Sequence, residues 1–185
     1  MFRKTTLFSI LLASSLFAAA QQKYYTKTGY IRFFSSASLE DIEAKNRSVT
    51  AVLDSKSGSL QFSVLMKSFE FEKSLMQQHF NEDYVQSDKY PKAVFKGTIT
   101  NNSSVNYSKP GTYKAIVTGK LTMHGVTRTV SAPGTVTVDA KGIKTASTFN
   151  IKLSDYGITI PSPVKSKISN TIRIDVDARM DPLKS

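Results

Sequence analysis

Cysteine is absent from the 185-residue chain. That excludes a disulfide scaffold, a cysteine-ligated zinc finger, a thiol nucleophile and a lipid-modified N-terminal cysteine. Histidine is scarce, with only His79 and His124. Serine never stands in a GxSxG pattern, and no glycine-rich phosphate-binding fingerprint of the Rossmann kind occurs. Acidic residues are outnumbered 14 to 25 by lysine and arginine, leaving a formal charge of +11. Long apolar runs are also missing, apart from one near the start.

That run belongs to the first twenty residues. Arg3 and Lys4 precede the apolar stretch 7–17 (LFSILLASSLF), and Ala18-Ala19-Ala20 supplies small residues at a cleavage site. A transmembrane helix needs about twenty apolar residues, so 1–20 reads as a secretory signal peptide cleaved before Gln21. The expectation is an exported protein, periplasmic or secreted, with one domain over 21–185. Losing Arg3 and Lys4 lowers the charge from +11 to +9. An exported protein rarely meets nucleic acid, so this excess points to anionic lipid or acidic small molecules, and to transient contact with a membrane surface. The plainer reading is that scattered lysines solvate strand faces.

Period-two alternation fills the remainder. From Tyr113 to Met123 the odd positions are apolar or small and the even ones polar, with Ile116 the exception. Val126, Val130, Ala132, Val136 and Val138 alternate with Thr127, Thr129, Ser131, Thr135 and Thr137. Similar alternation marks 143–153 and 171–180, with Leu60-Phe62-Val64-Met66, Val49-Ala51-Leu53, 30–34 and 93–100 adding further strands. Turn residues separate them at 54–58, 109–111, 124–125 and 140–142. Successive strand side chains point to opposite faces. About eight strands with hairpin-length links argue for an antiparallel all-β fold, barrel or sandwich.

The segment 79–91 (HFNEDYVQSDKYP) interrupts this pattern. Ser74 and Gln77 fit a capping box, Leu75, Met76 and Phe80 form an apolar trio at helical spacing, and Asn81 is a plausible terminator. A two-turn helix here would plug or cover one barrel end. On it, His79 and Asp83 would share a face near Glu82. Only His124 could add a second nitrogen, so no metal centre is expected. Glu82 and Asp83 are adjacent and would point apart, which is unsuited to flanking one bond. Tyr90-Pro91 reads as a strand-entry device, because the residue before proline is driven to extended geometry.

Three segments, HFNEDYVQSDKYPKAVFKG at 79–97, GKLTMHGVTRTV at 119–130 and FNIKLSDYGI at 149–158, together resemble the YceI-like family of exported bacterial proteins over about residues 26–180. Where that family often carries Arg-x-Asp-Phe-Gly, this chain reads Leu153-Ser154-Asp155-Tyr156-Gly157. The resemblance implies an eight-stranded antiparallel, lipocalin-like barrel with one short helix near an end. It also implies a polyisoprenoid or related long-chain lipid held inside, with no catalytic residue and no cofactor.

Aliphatic and aromatic lining is enough for such a ligand. The candidates are Phe62, Val64, Phe95, Val117, Leu121, Phe149 and Ile151 from strands, with Phe80 and Tyr84 from the covering helix. Ala115 and Gly119, on the same face as Val117, lean toward open space there, although glycine also marks bends. The competing reading is a filled barrel, in which these residues are ordinary core and the protein is a structural or stress-related interaction module. The oligomeric state stays open.

Overall fold

The computed structural model describes residues 22–183; the expected signal peptide and its cleavage site lie outside them. The described residues form nine strands: β1 (Lys23–Ser36), β2 (Asp41–Asp54), β3 (Ser59–Leu65), β4 (Glu70–Phe71), β5 (Lys92–Ile99), β6 (Gly111–Met123), β7 (Val126–Asp139), β8 (Gly142–Lys152) and β9 (Thr171–Pro182). Eight of them close into one antiparallel barrel in the order β1-β9-β8-β7-β6-β5-β3-β2, with β2 pairing back onto β1. The ninth, β4, is two residues long and takes over from β3 along the upper half of β2, pairing Phe71 with Ala44. Closure leaves no long free edge for other chains to pair with.

The strands β1 and β2 are longer than their alternation suggests. On β1 the buried residues are Tyr24 and Thr26, then Gly29 and Ile31, so the buried face switches from even to odd numbers. The strand β2 switches as well, from Ala44 and Asn46 to Val49, Ala51 and Leu53. Register irregularities between Thr26 and Ile31 accommodate both changes, as bulges do. Asn46 is wholly buried at this break. It donates from Nδ2 to the Leu65 carbonyl at 2.9 Å and accepts the Ser48 N–H on Oδ1. It therefore satisfies the backbone where β3 leaves β2.

The base of the barrel is packed shut. Tyr24, Leu53, Leu60, Ile99, Val136, Ile143 and Met180 form its core with Val105. From the connection between β5 and β6, Tyr107 stacks on Tyr24 and donates its hydroxyl to Asn102 Oδ1 at 2.7 Å. Burial pushes the Tyr107 phenol up to about 12. Outside the barrel, Arg32 bridges Glu43 on β2 at 2.8 Å and Asp175 on β9 at 2.7 Å, stapling the seam between first and last strands. Burial raises the Asp175 carboxyl, but hydrogen bonds from Arg32 and Thr148 outweigh it and leave the group below the ordinary carboxylate range.

The helix α1 (Ser74–His79) sits at the opposite end, but its start differs from the expected capping box. Lys73 is the N-cap, no side chain caps the helix, and Ser74 is its first residue. Gln77 Oε1 faces the Phe71 N–H at 3.4 Å, so the glutamine supports β4 instead of Ser74. Asn81 does not end the helix either. The chain continues as one wide π turn over Phe80–Tyr84, and Asn81 donates from Nδ2 to the Gln77 carbonyl at 2.8 Å. Leu75, one of the expected apolar trio, is instead 61% exposed. Of the trio, Met76 and Phe80 face the barrel interior.

Candidate functional site

Above the packed base the barrel encloses a cavity of about 610 Å³, inside the roughly 300–1,000 Å³ range of small-molecule sites. All nine residues singled out from the sequence line it. Phe62 and Val64 come from β3, Phe95 from β5, Val117 and Leu121 from β6, and Phe149 and Ile151 from β8. Phe80 and Tyr84 cover it from the π turn that follows α1. Pleating explains the convergence, because every second residue of each strand faces the axis.

The wall contains more than those nine. Ile31 and Phe33 on β1, and Ile172, Ile174 and Val176 on β9, also line it. Their alternation marks them as inward-facing. Ile158, Pro161, Val164 and Ile168 reach the mouth from the connection between β8 and β9, a segment with no periodicity to reveal it. Phe33, Phe69, Phe71 and Phe80 make one aromatic cluster, with ring centroids 5.1–5.6 Å apart. Tilted and edge contacts of this kind add to the apolar burial that seats α1.

The glycine at 119 does not open the wall. Gly119 faces Gly97 across the β5–β6 ladder, and a Cβ on Gly119 would come within 2.5 Å of Gly97 Cα and 2.6 Å of the Phe95 ring. The Phe95 side chain lies over both glycines. The space expected there is filled by that ring, and the cavity lies beyond it.

Polar groups gather at the two ends. Glu40, His79, Asp83 and Lys167 line the mouth. His79 Nδ1 stands 2.6 Å from Asp83 Oδ2, and Lys73 bonds Glu40 at 3.0 Å. The 37–40 connection is tied to 166 by the Leu39 N–H donating to the Ser166 carbonyl at 2.9 Å. At the floor, Thr145 is buried and its Oγ1 has no hydrogen-bond partner. Among the described residues, no group of three or more His, Asp or Glu side chains is placed to hold a metal.

His124 lies apart from His79 and does different work. It and Gly125 both have positive φ, 51° and 75°, which makes the β6–β7 link a tight mirror-image turn. His124 Nδ1–H donates to the Tyr156 carbonyl at 3.0 Å. Its ring packs edge-on against Tyr90, with centroids 4.8 Å apart. The three segments that carry the family resemblance thus meet at one clip on the rim: Tyr90-Pro91, His124-Gly125 and Tyr156.

Comparison with known proteins agrees with this architecture. The YceI-like domain matches residues 21–180. The UPF0312 proteins of Pseudomonas savastanoi pv. phaseolicola and Pseudomonas syringae pv. syringae are each 32% identical over 104 residues. Those matches cover 52% of this chain and 47% of each relative, so the chain spans about half the length of the curated relatives it matches. Among solved structures, a polyisoprenoid binding domain from Saccharophagus degradans, implicated in plant cell wall breakdown, superposes with a TM-score of 0.74 at 14% identity, covering 88% of this chain and 99% of that one. Burkholderia cenocepacia BcnA gives 0.65 at 22% identity, over 80% and 94%. A Campylobacter jejuni YCEI protein gives 0.55 at 18% identity, over 100% and 92%. At these identities the structures share the fold.

Proposed function

The chain belongs to the YceI-like family, and from that premise we propose that it is an exported, non-catalytic binder or carrier of a long apolar ligand, a polyisoprenoid or related lipid. The observation that carries this reading is the cavity: about 610 Å³ inside the barrel, walled by aliphatic and aromatic side chains, shut at the base and reached beside α1. Each methylene moved from water into such a wall contributes roughly 0.8 kcal/mol. A chain of several isoprene units therefore gains enough to bind without catalytic groups. The polar mouth leaves room for a head group in contact with solvent. The basic, signal-like N-terminus supports export.

The test is organic extraction of the purified protein followed by mass spectrometry, paired with displacement of a fluorescent fatty probe by isoprenoid alcohols. Co-purifying prenyl lipid, or saturable displacement at one site, is the expected result. A protein that carries no lipid and binds neither probe nor isoprenoid would return the barrel to the role of a plain interaction module.

A further inference from the structure

The outer wall formed by β3, β5, β6 and β7 carries positive charge without compensation. The register sets its rows. Gln61, Lys96, Lys120 and Thr129 lie side by side, with Ser59, Thr98, Thr118 and Ser131 in the next polar row. Lys92 pairs opposite Leu65, and Lys114 opposite Thr135. No aspartate or glutamate occurs on these four strands before Asp139, the last residue of β7, and it is bound to Arg179. Lys96 and Lys120 stand directly opposite each other on neighbouring strands, an arrangement that destabilises a sheet. Lys120 finds only the Thr129 hydroxyl, at 2.8 Å.

The opposite wall, on β1, β2, β8 and β9, intersperses carboxylates such as Glu43, Asp175 and Asp177 among its cations. There Arg32, Lys45, Lys144 and Arg179 each bond a carboxylate. Among the described residues, Lys92, Lys96, Lys114 and Lys120 have no acidic partner. Apolar side chains sit among them: Ile116 is 50% exposed and Leu65 42% exposed.

We propose that this wall is a docking face for the surface of a bilayer containing anionic phospholipid. Unpaired lysines meet lipid phosphates, and Ile116 and Leu65 enter the headgroup layer, where apolar side chains add to electrostatic attraction. A soluble polyanion would satisfy the lysines and gain nothing from exposed isoleucine, so the mixed chemistry selects a membrane. The proposal does not depend on what the cavity holds.

Co-flotation of the purified protein with vesicles tests it. Binding is expected to phosphatidylcholine vesicles containing phosphatidylglycerol, to be absent with phosphatidylcholine alone, and to weaken with salt. Replacing Lys96→Gln and Lys120→Gln together should lower partitioning roughly twenty- to thirtyfold. It should also leave the thermal transition unchanged or higher, because the opposed charges are gone. Lys23→Gln with Lys27→Gln on β1 makes the same change in net charge and should leave partitioning at the wild-type level. Ile116→Ser should weaken vesicle binding and leave binding to dextran sulfate unchanged. Failure of the wild type to bind anionic vesicles, or equal losses from the two lysine pairs, overturns the docking face. So does an Ile116→Ser variant that binds vesicles like wild type, which would mark a polyanion site instead. Lipid retention in the cavity should be the same in all variants, which separates this outcome from failure of the binding reading.

Discussion

His124 shows how a residue of a chemically versatile type can serve the backbone of a turn. Its backbone adopts a left-handed conformation, its Nδ1–H holds the Tyr156 carbonyl, and its ring packs on Tyr90. Replacing His124→Ala removes the hydrogen bond and leaves a β-carbon in a strained turn. The expected loss is about 1–3 kcal/mol, read by urea unfolding, and His124→Asn should lose less because asparagine tolerates that conformation. Tyr107 makes a second residue-level case. Burial, assisted by Tyr24 and Asp54, moves its phenol from 10.0 to about 12. A phenol harder to ionise when folded contributes its stability in full below pH 10.0 and loses it as pH rises toward about 12. Melting temperature should therefore fall across that alkaline window, and less in Tyr107→Phe. A fall of the same size in Tyr107→Phe would assign the transition to another group.

Among the elements, what was legible followed from unbroken alternation. The strands β6 to β9 and the inward set Phe62, Val64, Phe95, Val117, Leu121, Phe149 and Ile151 could be read because each keeps one phase along its length. The full extents of β1 and β2 could not, since bulges near Gly29 and Asn46 shift the buried face by one residue. A period-two reading sees such a shift as an ending. The start of α1 departs from its local signal for a different reason. Serine and glutamine at capping-box spacing are a local signal, and the tertiary contact of Gln77 with β4 overrides it. The mouth segment 158–168 has neither period. Gly119 is the instructive position in β6: its missing side chain reflects close approach to β5 and to the Phe95 ring, not spare room. Gly119→Ala should therefore destabilise the barrel measurably, although the residue is only partly buried. An alanine variant with wild-type thermal stability would show that β5 and β6 can separate there at no cost.

For the whole molecule, the question is whether the barrel is a container or a solid. The base is solid: Leu53, Ile143 and Met180 are fully buried, and Val105 packs with them. Nearer the mouth, Ile31, Val64, Ile151 and Ile172 are buried too, but other apolar residues beside them are only half-buried and face enclosed space. Phe62, Leu121, Phe149 and Ile174 all have this intermediate exposure. Val117 is a suitable probe of that boundary. It is on β6 opposite Ala132, lines the cavity, and is partly buried. In a solid core, Val117→Phe would force strain of about 1–3 kcal/mol. In a container the added ring enters existing volume and gains apolar contact, so the ligand-free protein should melt close to wild type. The same ring occupies part of the path of a bound chain, so retention of lipid or of a fatty fluorophore should fall. Both readings come from one variant, and they diverge. Unchanged melting with lost retention identifies a container, whereas a large fall in melting temperature with no lipid in the parent protein identifies a barrel whose interior has no room to give.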